Sequence, residues 1–258
     1  MLRLALSVLA ASLVVSASAQ EKGGGPTISY YGQSFFLVKS REGTTVAFDP
    51  HAIVEYGRID GLRADIVCVS HLHTDHSAIF ALSNAKDKNL RMLFGLSGAG
   101  TRTTFNPIDE TVKGIHFRTV PTYHDDREGL IRGKNMVFLA EIDGWKFCHL
   151  GDLGHDLAPA QLRKIGPVDV LMVPCGGIYT LNGSEAKKVV EQIQPKEYIF
   201  PMHYGTKVFD ELLPITEFLE DQEKARIAVS DDNRVLLNKD KDRPRPLIVQ
   251  LHYAPKGR

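Results

Sequence analysis

The chain has 258 residues, and its 31 Lys and Arg are matched by 31 Asp and Glu, so the formal charge is zero. That balance lacks the basic footprint of a nucleic-acid binder or of a protein held to an anionic membrane by charge, and it points to small-molecule partners. The length suits one large domain or two small ones, and with no Pro/Gly/Ser-rich linker interrupting it a single domain is expected.

At the start, Arg3 precedes an apolar run from Leu4 to Val15 and then Ala17-Ser18-Ala19, the small-residue pattern a signal peptidase accepts. Residues 1–19 are therefore expected to be a cleaved export signal, with cleavage near Ala19/Gln20 and a periplasmic or secreted product. The run falls short of the about 20 apolar residues a membrane span needs, so no stable anchor is expected after cleavage. Residues 20–27, with Lys22-Gly23-Gly24-Gly25-Pro26, read as a flexible leader, and residues 28–258 as the domain.

Short β-type runs follow, at Ile28 to Tyr31, Phe35 to Ser40, Thr45 to Phe48, Ile66 to Val69, Gly114 to Val120 and Met136 to Ile142, punctuated by Gly, Asp and Pro. Helical patterns are interleaved at Asp75 to Leu82, Ala158 to Ile165 and Ser184 to Ile193, the last with Ser184 as its expected cap. Further on, Asp210 to Glu223 reads as a charged surface helix, and Ala225 to Val229, Val235 to Leu237 and Leu247 to Tyr253 as strands. Between the last two strands the mixed-sign run Lys239-Asp240-Lys241-Asp242-Arg243 reads as a solvated face. Cys68, Cys148 and Cys175 sit at the ends of apolar runs, outside any CxxC pattern, and are expected to be buried thiols.

The densest chemistry lies in Val69-Ser70-His71-Leu72-His73-Thr74-Asp75-His76, where three imidazoles and a carboxylate occupy six positions directly after an apolar run. Imidazole and carboxylate together suit zinc, manganese, iron or nickel. Three more ligand types end strand-like runs: His124 after Pro121-Thr122-Tyr123, Asp152 after Phe147-Cys148-His149-Leu150-Gly151, and His203 after Tyr198-Ile199-Phe200-Pro201-Met202. A lone histidine after a strand is ordinarily no ligand. Three such residues beside the histidine cluster reverse that reading.

These residues resemble the metallo-β-lactamase superfamily, and within it the branch of L-ascorbate-6-phosphate lactonase-like and related metal-dependent hydrolases. The resemblance runs from about Ile28 to Thr206 through Tyr31-Gly32 and Ser34, Phe48-Asp49-Pro50, the His71 to His76 motif, Tyr123-His124-Asp125, His149 to His155, Pro174 to Thr180 and Pro201-Met202-His203-Tyr204. It implies an α/β protein with an αββα four-layer sandwich and the site at one edge. It also implies two divalent ions, zinc first and manganese or iron as alternatives. His71, His73 and His124 would hold one ion, Asp75, His76 and His203 the other, and Asp152 would bridge both. A water shared by two ions is acidified to hydroxide near neutral pH, the nucleophile this resemblance implies.

Asp75, Asp152 and His155 are the candidates for direct catalytic roles, His155 by touching substrate or by donating a hydrogen bond beside the site. Asp49 is read either as the acceptor that fixes a ligand imidazole or as a strand-ending turn residue with Pro50. Tyr179, Thr180 and Tyr204 are candidates to line the cleft, and Gly176-Gly177 to make a tight turn. His51, His116, His149 and His252 are read as non-ligands. Gln33 departs from the pattern, since many relatives carry histidine before the serine. The expected function is an exported dinuclear hydrolase of an ester, lactone, amide or phosphodiester. The alternatives are a redox or oxygen-handling di-metal protein and a non-catalytic metal binder. His73 stands where the redox relatives commonly carry Glu, and the complete ligand set argues against a decayed scaffold.

Overall fold

Two β-sheets packed face to face build the computed structural model, which describes residues 24–57 and 60–255. The expected export signal at 1–19 lies outside the described residues. The described end of the expected leader is already part of the sheet, because Gly25 N–H donates to Leu237 O (2.8 Å) and Leu237 N–H to Pro26 O (3.0 Å).

The first sheet has six strands, in the spatial order Arg234–Leu236, Thr27–Tyr30, Phe36–Lys39, Thr45–Phe48, Ile66–Val69 and Arg91–Phe94. Along Phe36–Lys39 the side chains alternate between the sandwich interior and the outer face, with Phe36 and Val38 buried and Lys39 exposed. All four residues of Ile66–Val69 are buried, as a parallel strand covered on both faces requires. The second sheet has eight strands, ordered Ile227–Val229, Leu247–Gln250, Tyr198–Met202, Val170–Pro174, Trp145–His149, Lys134–Ile142, Ile115–Tyr123 and Asp109–Val112. Its Asp109-to-His149 half is antiparallel, and from Trp145–His149 onward the pairing is parallel.

Between the sheets Ile28, Phe36, Val46 and Phe48 meet Phe117, Phe138, Phe147 and Phe200 in one core. The outer face of the second sheet buries Val137, Leu171 and Val173 under Ile165, Ala186, Val189, Ile193 and Phe218 from three helices. The outer face of the first sheet buries Phe35, Val67 and Val69 against Leu82 and Leu90. The layered α/β sandwich expected from the resemblance is present. Among the described residues no helix is long and apolar enough to cross a membrane.

Several local expectations are corrected. Asp75 to Leu82 is not a helix; it contains only the 3-10 turn Ile79–Ala81, because Ala78 N–H is spent on Pro50 O (2.8 Å) and Ser77 Oγ on His73 O (2.8 Å). The helix expected at Asp210 to Glu223 shrinks to Thr216–Leu219, since Leu213 pairs its backbone with Gly176 and Gly205 and Pro214 follows. The helix Gly183–Ile193 is capped by Asn182 rather than Ser184: Asn182 Oδ1 accepts from Glu185 N (2.9 Å) and Glu185 Oε2 from Asn182 N (2.9 Å), whereas Ser184 Oγ donates to Glu217. The strand expected to stop at Val120 runs on to Tyr123, with Pro121 opposite Met136.

The charge run is not uniformly solvated. Arg243 lies over the Tyr198 ring (4.1 Å) and pairs with the buried Glu197 at 3.0 Å, while Arg245 takes the other carboxylate oxygen at 3.1 Å. All three cysteines are buried free thiols.

Candidate metal centre

All the expected ligands converge where the two sheets end on a common edge. The Ile66–Val69 strand delivers the turn carrying His71, His73, Asp75 and His76; Ile115–Tyr123 delivers His124, Trp145–His149 delivers Asp152, and Tyr198–Met202 delivers His203. Strand ends suit this task, because a sheet fixes the direction of each exit while leaving the following residue free to turn inward.

Two groups of side chains offer ligand atoms within 4.8 Å of one another: His71, His73 and His124, and Asp75, His76, Asp152 and His203. Asp152 Oδ2 joins them, lying 3.0 Å from His124 Nε2, 3.1 Å from His76 Nε2, 3.2 Å from His203 Nε2 and 3.7 Å from His71 Nε2. Asp75 Oδ2 is 3.4 Å from His76 Nε2. The seven residues named from the sequence are thus brought together.

A hydrogen-bond chain behind the cluster fixes two of the imidazoles. Asp49 accepts from Ser70 N–H (2.7 Å) and Ser70 Oγ–H (2.6 Å), and its Oδ2 also faces His76 Nδ1 (3.0 Å). With its proton given to Asp49, Ser70 Oγ accepts from His71 Nδ1–H at 2.9 Å. His71 and His76 therefore keep their protons on Nδ1 and turn Nε2 toward Asp152, where His71 Nε2 meets His73 Nδ1 at 3.1 Å. A third group with ligand spacing, Asp49, His71 and His76, is this backing rather than a further centre, because Asp49 meets His76 at Nδ1 and reaches the Nδ1 side of His71 through the Ser70 hydroxyl.

Asp152 has its own support. Asn135 Oδ1 accepts from Asp152 N–H (3.0 Å), and its amide donates to Thr122 Oγ1 (2.8 Å) and Leu150 O (2.9 Å). Gly151 makes this approach possible: at φ 56° its α-carbon faces Asn135 Oδ1 and Ser70, and an added Cβ would stand 2.3 Å from Asn135 Oδ1. Gly176 is equally constrained, with His203 O 2.1 Å from where a Cβ would sit.

The electrostatics ask for a cation. Burial opposes charge on His76, yet Asp152, Asp49 and Asp75 outweigh it and hold its pKa well above the usual imidazole range. Burial likewise opposes charge on Asp152, and His203, His76 and His124 hold its carboxyl well below the usual range. His71 and His73 are pushed down, first by burial and then by neighbouring imidazoles, so both favour the neutral form that ligates metal. Asp152 Oδ1 is buried with no hydrogen-bond partner among the described residues. A donor set of imidazoles and carboxylates with such an orphaned oxygen fits divalent ions.

His155 is not brought to this cluster. Its Nε2 accepts from Tyr123 N–H (3.1 Å) and its Nδ1 donates to Asp156 O (2.7 Å). It lines a neighbouring cavity of about 550 Å³ with Tyr123, Asp125, Gln161, Glu185 and Lys188, and none of the seven clustered residues lines that cavity. Tyr204 is buried in the core beneath the helices, whereas Tyr179 is half exposed under the Arg132 guanidinium. His51 and His149 anchor backbone instead, to Tyr31 O (3.0 Å) and Ser34 O (2.9 Å). Two supporting residues were not anticipated, Ser70 and Asn135. Ser70 borders the histidine motif, but Asn135 carries no signal apart from strand register.

Residues 27–203 match the model of the beta-lactamase superfamily domain. The chain is 33% identical over 214 residues to a UPF0173 protein of Pyrococcus furiosus, covering 78% of this chain and 93% of that one. It is 31% identical over 193 residues to a UPF0173 metal-dependent hydrolase of Carboxydothermus hydrogenoformans, covering 69% and 84%. A proposed zinc-dependent hydrolase of the metallo-β-lactamase superfamily from Thermotoga maritima has a crystal structure that superposes with a TM-score of 0.64 at 32% identity, covering 88% of this chain and 100% of that one. These matches reach the superfamily and the UPF0173 group rather than the ascorbate-lactonase branch in particular. The chain belongs to the metallo-β-lactamase superfamily, among its UPF0173-like metal-dependent hydrolases.

Proposed function

We propose that the cluster is the active centre of an exported dinuclear hydrolase that cleaves an ester, lactone, amide or phosphodiester. The observation that carries this reading is the meeting of two ligand groups at one buried carboxylate oxygen, Asp152 Oδ2. His71, His73 and His124 would hold one divalent ion and Asp75, His76 and His203 the other, with Asp152 between them. Zinc is the first candidate and manganese or iron the next. Two such ions supply Lewis acidity, which lowers the pKa of water and polarises the oxygen of the group under attack.

The chain's own part is to aim these ligands. Asp49 and Ser70 face Nδ1 of His76 and His71, so that both Nε2 atoms are turned inward. Asn135 holds the Asp152 backbone. His73 is exposed and Asp75 partly so, which puts the approach for a substrate on their side, while His71, His76, His124 and His203 form the closed floor.

Protein beginning near Gln20, loaded with zinc or with manganese, is expected to take up close to two equivalents by elemental analysis. A reproducible ceiling of one equivalent in folded protein would overturn the dinuclear reading. The loaded forms should then be assayed against lactones, acyl esters, phosphodiesters and β-lactams, where turnover that a chelator abolishes and metal restores identifies the substrate class. If no class is turned over by fully loaded protein, the hydrolase reading fails.

Export rests on the pattern of Arg3, the Leu4 to Val15 run and Ala17-Ser18-Ala19. Cell fractionation with amino-terminal sequencing should find a form starting near Gln20 in the periplasm or medium. The intact Met1 form in the cytosol would refute it.

A further inference from the structure

We infer that Gln33 is a positioning residue for the second metal site, clamping Asp75 with its side chain and His203 with its main chain; this rests on the dinuclear reading above. Gln33 is 2% exposed and sits in the turn between the Thr27–Tyr30 and Phe36–Lys39 strands, beside no ligand in sequence. Its Nε2 donates to Asp75 Oδ2 at 3.1 Å, and its carbonyl accepts from His203 N–H at 2.8 Å and from Tyr30 Oη–H at 3.0 Å. One residue from the start of the domain thereby joins two ligands that come from opposite sheets.

Three physical points give the clamp a purpose. A carboxylate only accepts hydrogen bonds, so the Gln33 amide must present its NH2 group to Asp75, and the reversed amide would set acceptor against acceptor. Asp75 also needs holding more than its partners do, because its side chain is 34% exposed whereas those of His76, His203 and Asp152 are at most 2% exposed. Gln33 donates to Asp75 Oδ2, the oxygen that also faces His76 Nε2 at 3.4 Å. Finally, Gln33 and His203 both adopt left-handed backbone, at φ 50° and 51°, a conformation that costs a non-glycine residue on the order of 1–3 kcal/mol unless its surroundings hold it. The His203 N–H to Gln33 O bond ties the two strained residues to each other. Nothing comparable runs from Gln33 to His71, His73 or His124, so its side chain acts on one site and spares the other.

The test is calorimetric titration of zinc into metal-free protein beginning near Gln20, comparing wild type, Gln33→Met and His203→Ala. Met keeps the size of Gln but removes the N–H donors, and the equivalent that His203→Ala loses identifies the second site. Gln33→Met is expected to weaken that equivalent by about 10–100-fold and to leave the other within about threefold. Cobalt gives an independent readout, since the absorption of the second equivalent should change and that of the first should not. If Gln33→Met fails to fold by circular dichroism, Gln33→Leu carries the same comparison. The proposal is overturned if both equivalents bind as in wild type, or if both weaken alike, which would mark a general structural role. Wild type that accepts only one equivalent removes the dinuclear reading and this proposal together, and that result is distinguishable because it appears before any Gln33 variant is measured.

Discussion

Asp152→Asn is expected to cut hydrolysis by about three orders of magnitude, equivalent to about 4 kcal/mol of barrier, with a much smaller change in substrate affinity. The reason lies in where its charge sits. Asp152 Oδ2 is within 3.0–3.2 Å of three imidazole nitrogens, and its pKa is driven down by those imidazoles against the effect of burial. The amide keeps the shape but not the charge. An amide oxygen turned inward leaves the two ligand groups without their common anion, and an NH2 turned inward points protons at lone pairs meant for metal. The backbone bond from Asp152 N–H to Asn135 is untouched by the change, so folding should survive and metal content can be matched before turnover is compared. Cys68→Ser and Cys175→Ser provide the contrast. Burial pushes both thiols up, so neither supplies a thiolate near neutral pH, and both variants should keep appreciable turnover. Asp152→Asn protein with near-normal turnover at matched metal, or a covalent adduct trapped on either cysteine, would show that metal chemistry centred on Asp152 is wrong.

The clustered side chains were legible in the sequence because each belongs to a pattern of its own. His71, His73, Asp75 and His76 crowd one short turn, and His124, Asp152 and His203 each end an apolar run. What surrounds them was much less visible. Asn135 supports Asp152 only because the antiparallel register sets it opposite Thr122, and register is a property of two strands that neither strand displays alone. Gln33 reaches Asp75 across 42 positions of chain. The helix expected over Asp75 to Leu82 failed for a related reason. Its residues have adequate periodicity, but the Ala78 N–H is recruited to Pro50 O and the Ser77 hydroxyl occupies His73 O, so that these bonds outweigh local preference. At the other outer layer, the Gly183–Ile193 helix was anticipated from its apolar stripe, while its cap was misplaced because Asn182 and Ser184 are both good caps and only the Glu185 side chain decides between them.

Asp49→Asn separates the two readings that the sequence left open for this residue, a carboxylate that orients imidazoles or a turn beside Pro50. Asp49 is 1% exposed, and its backbone at φ 45° lies in the left-handed region that Asn tolerates as well as Asp does, so a pure turn role predicts little change. Its hydrogen bonds predict a large one. Oδ1 accepts from Ser70 N–H (2.7 Å), while Oδ2 accepts from Ser70 Oγ–H (2.6 Å) and from His76 Nδ1–H (3.0 Å). Asn offers one oxygen and one NH2 in these two places. With NH2 at the Oδ2 place, both Ser70 Oγ and His76 Nδ1 face a donor, so His76 loses its reason to keep the proton on Nδ1 and Ser70 loses the geometry in which it accepts from His71. With NH2 at the Oδ1 place, the buried Ser70 N–H is left unpaired, at a cost of about 1–3 kcal/mol. The anion that helps hold the His76 pKa up is lost in either case. Asp49→Asn is therefore expected to lower stability by about 1–3 kcal/mol in denaturant titration and to weaken metal binding by about 10–100-fold, with both His71 and His76 affected. A variant that matches wild type in both measurements would leave Asp49 as a turn residue with no part in holding the two imidazoles.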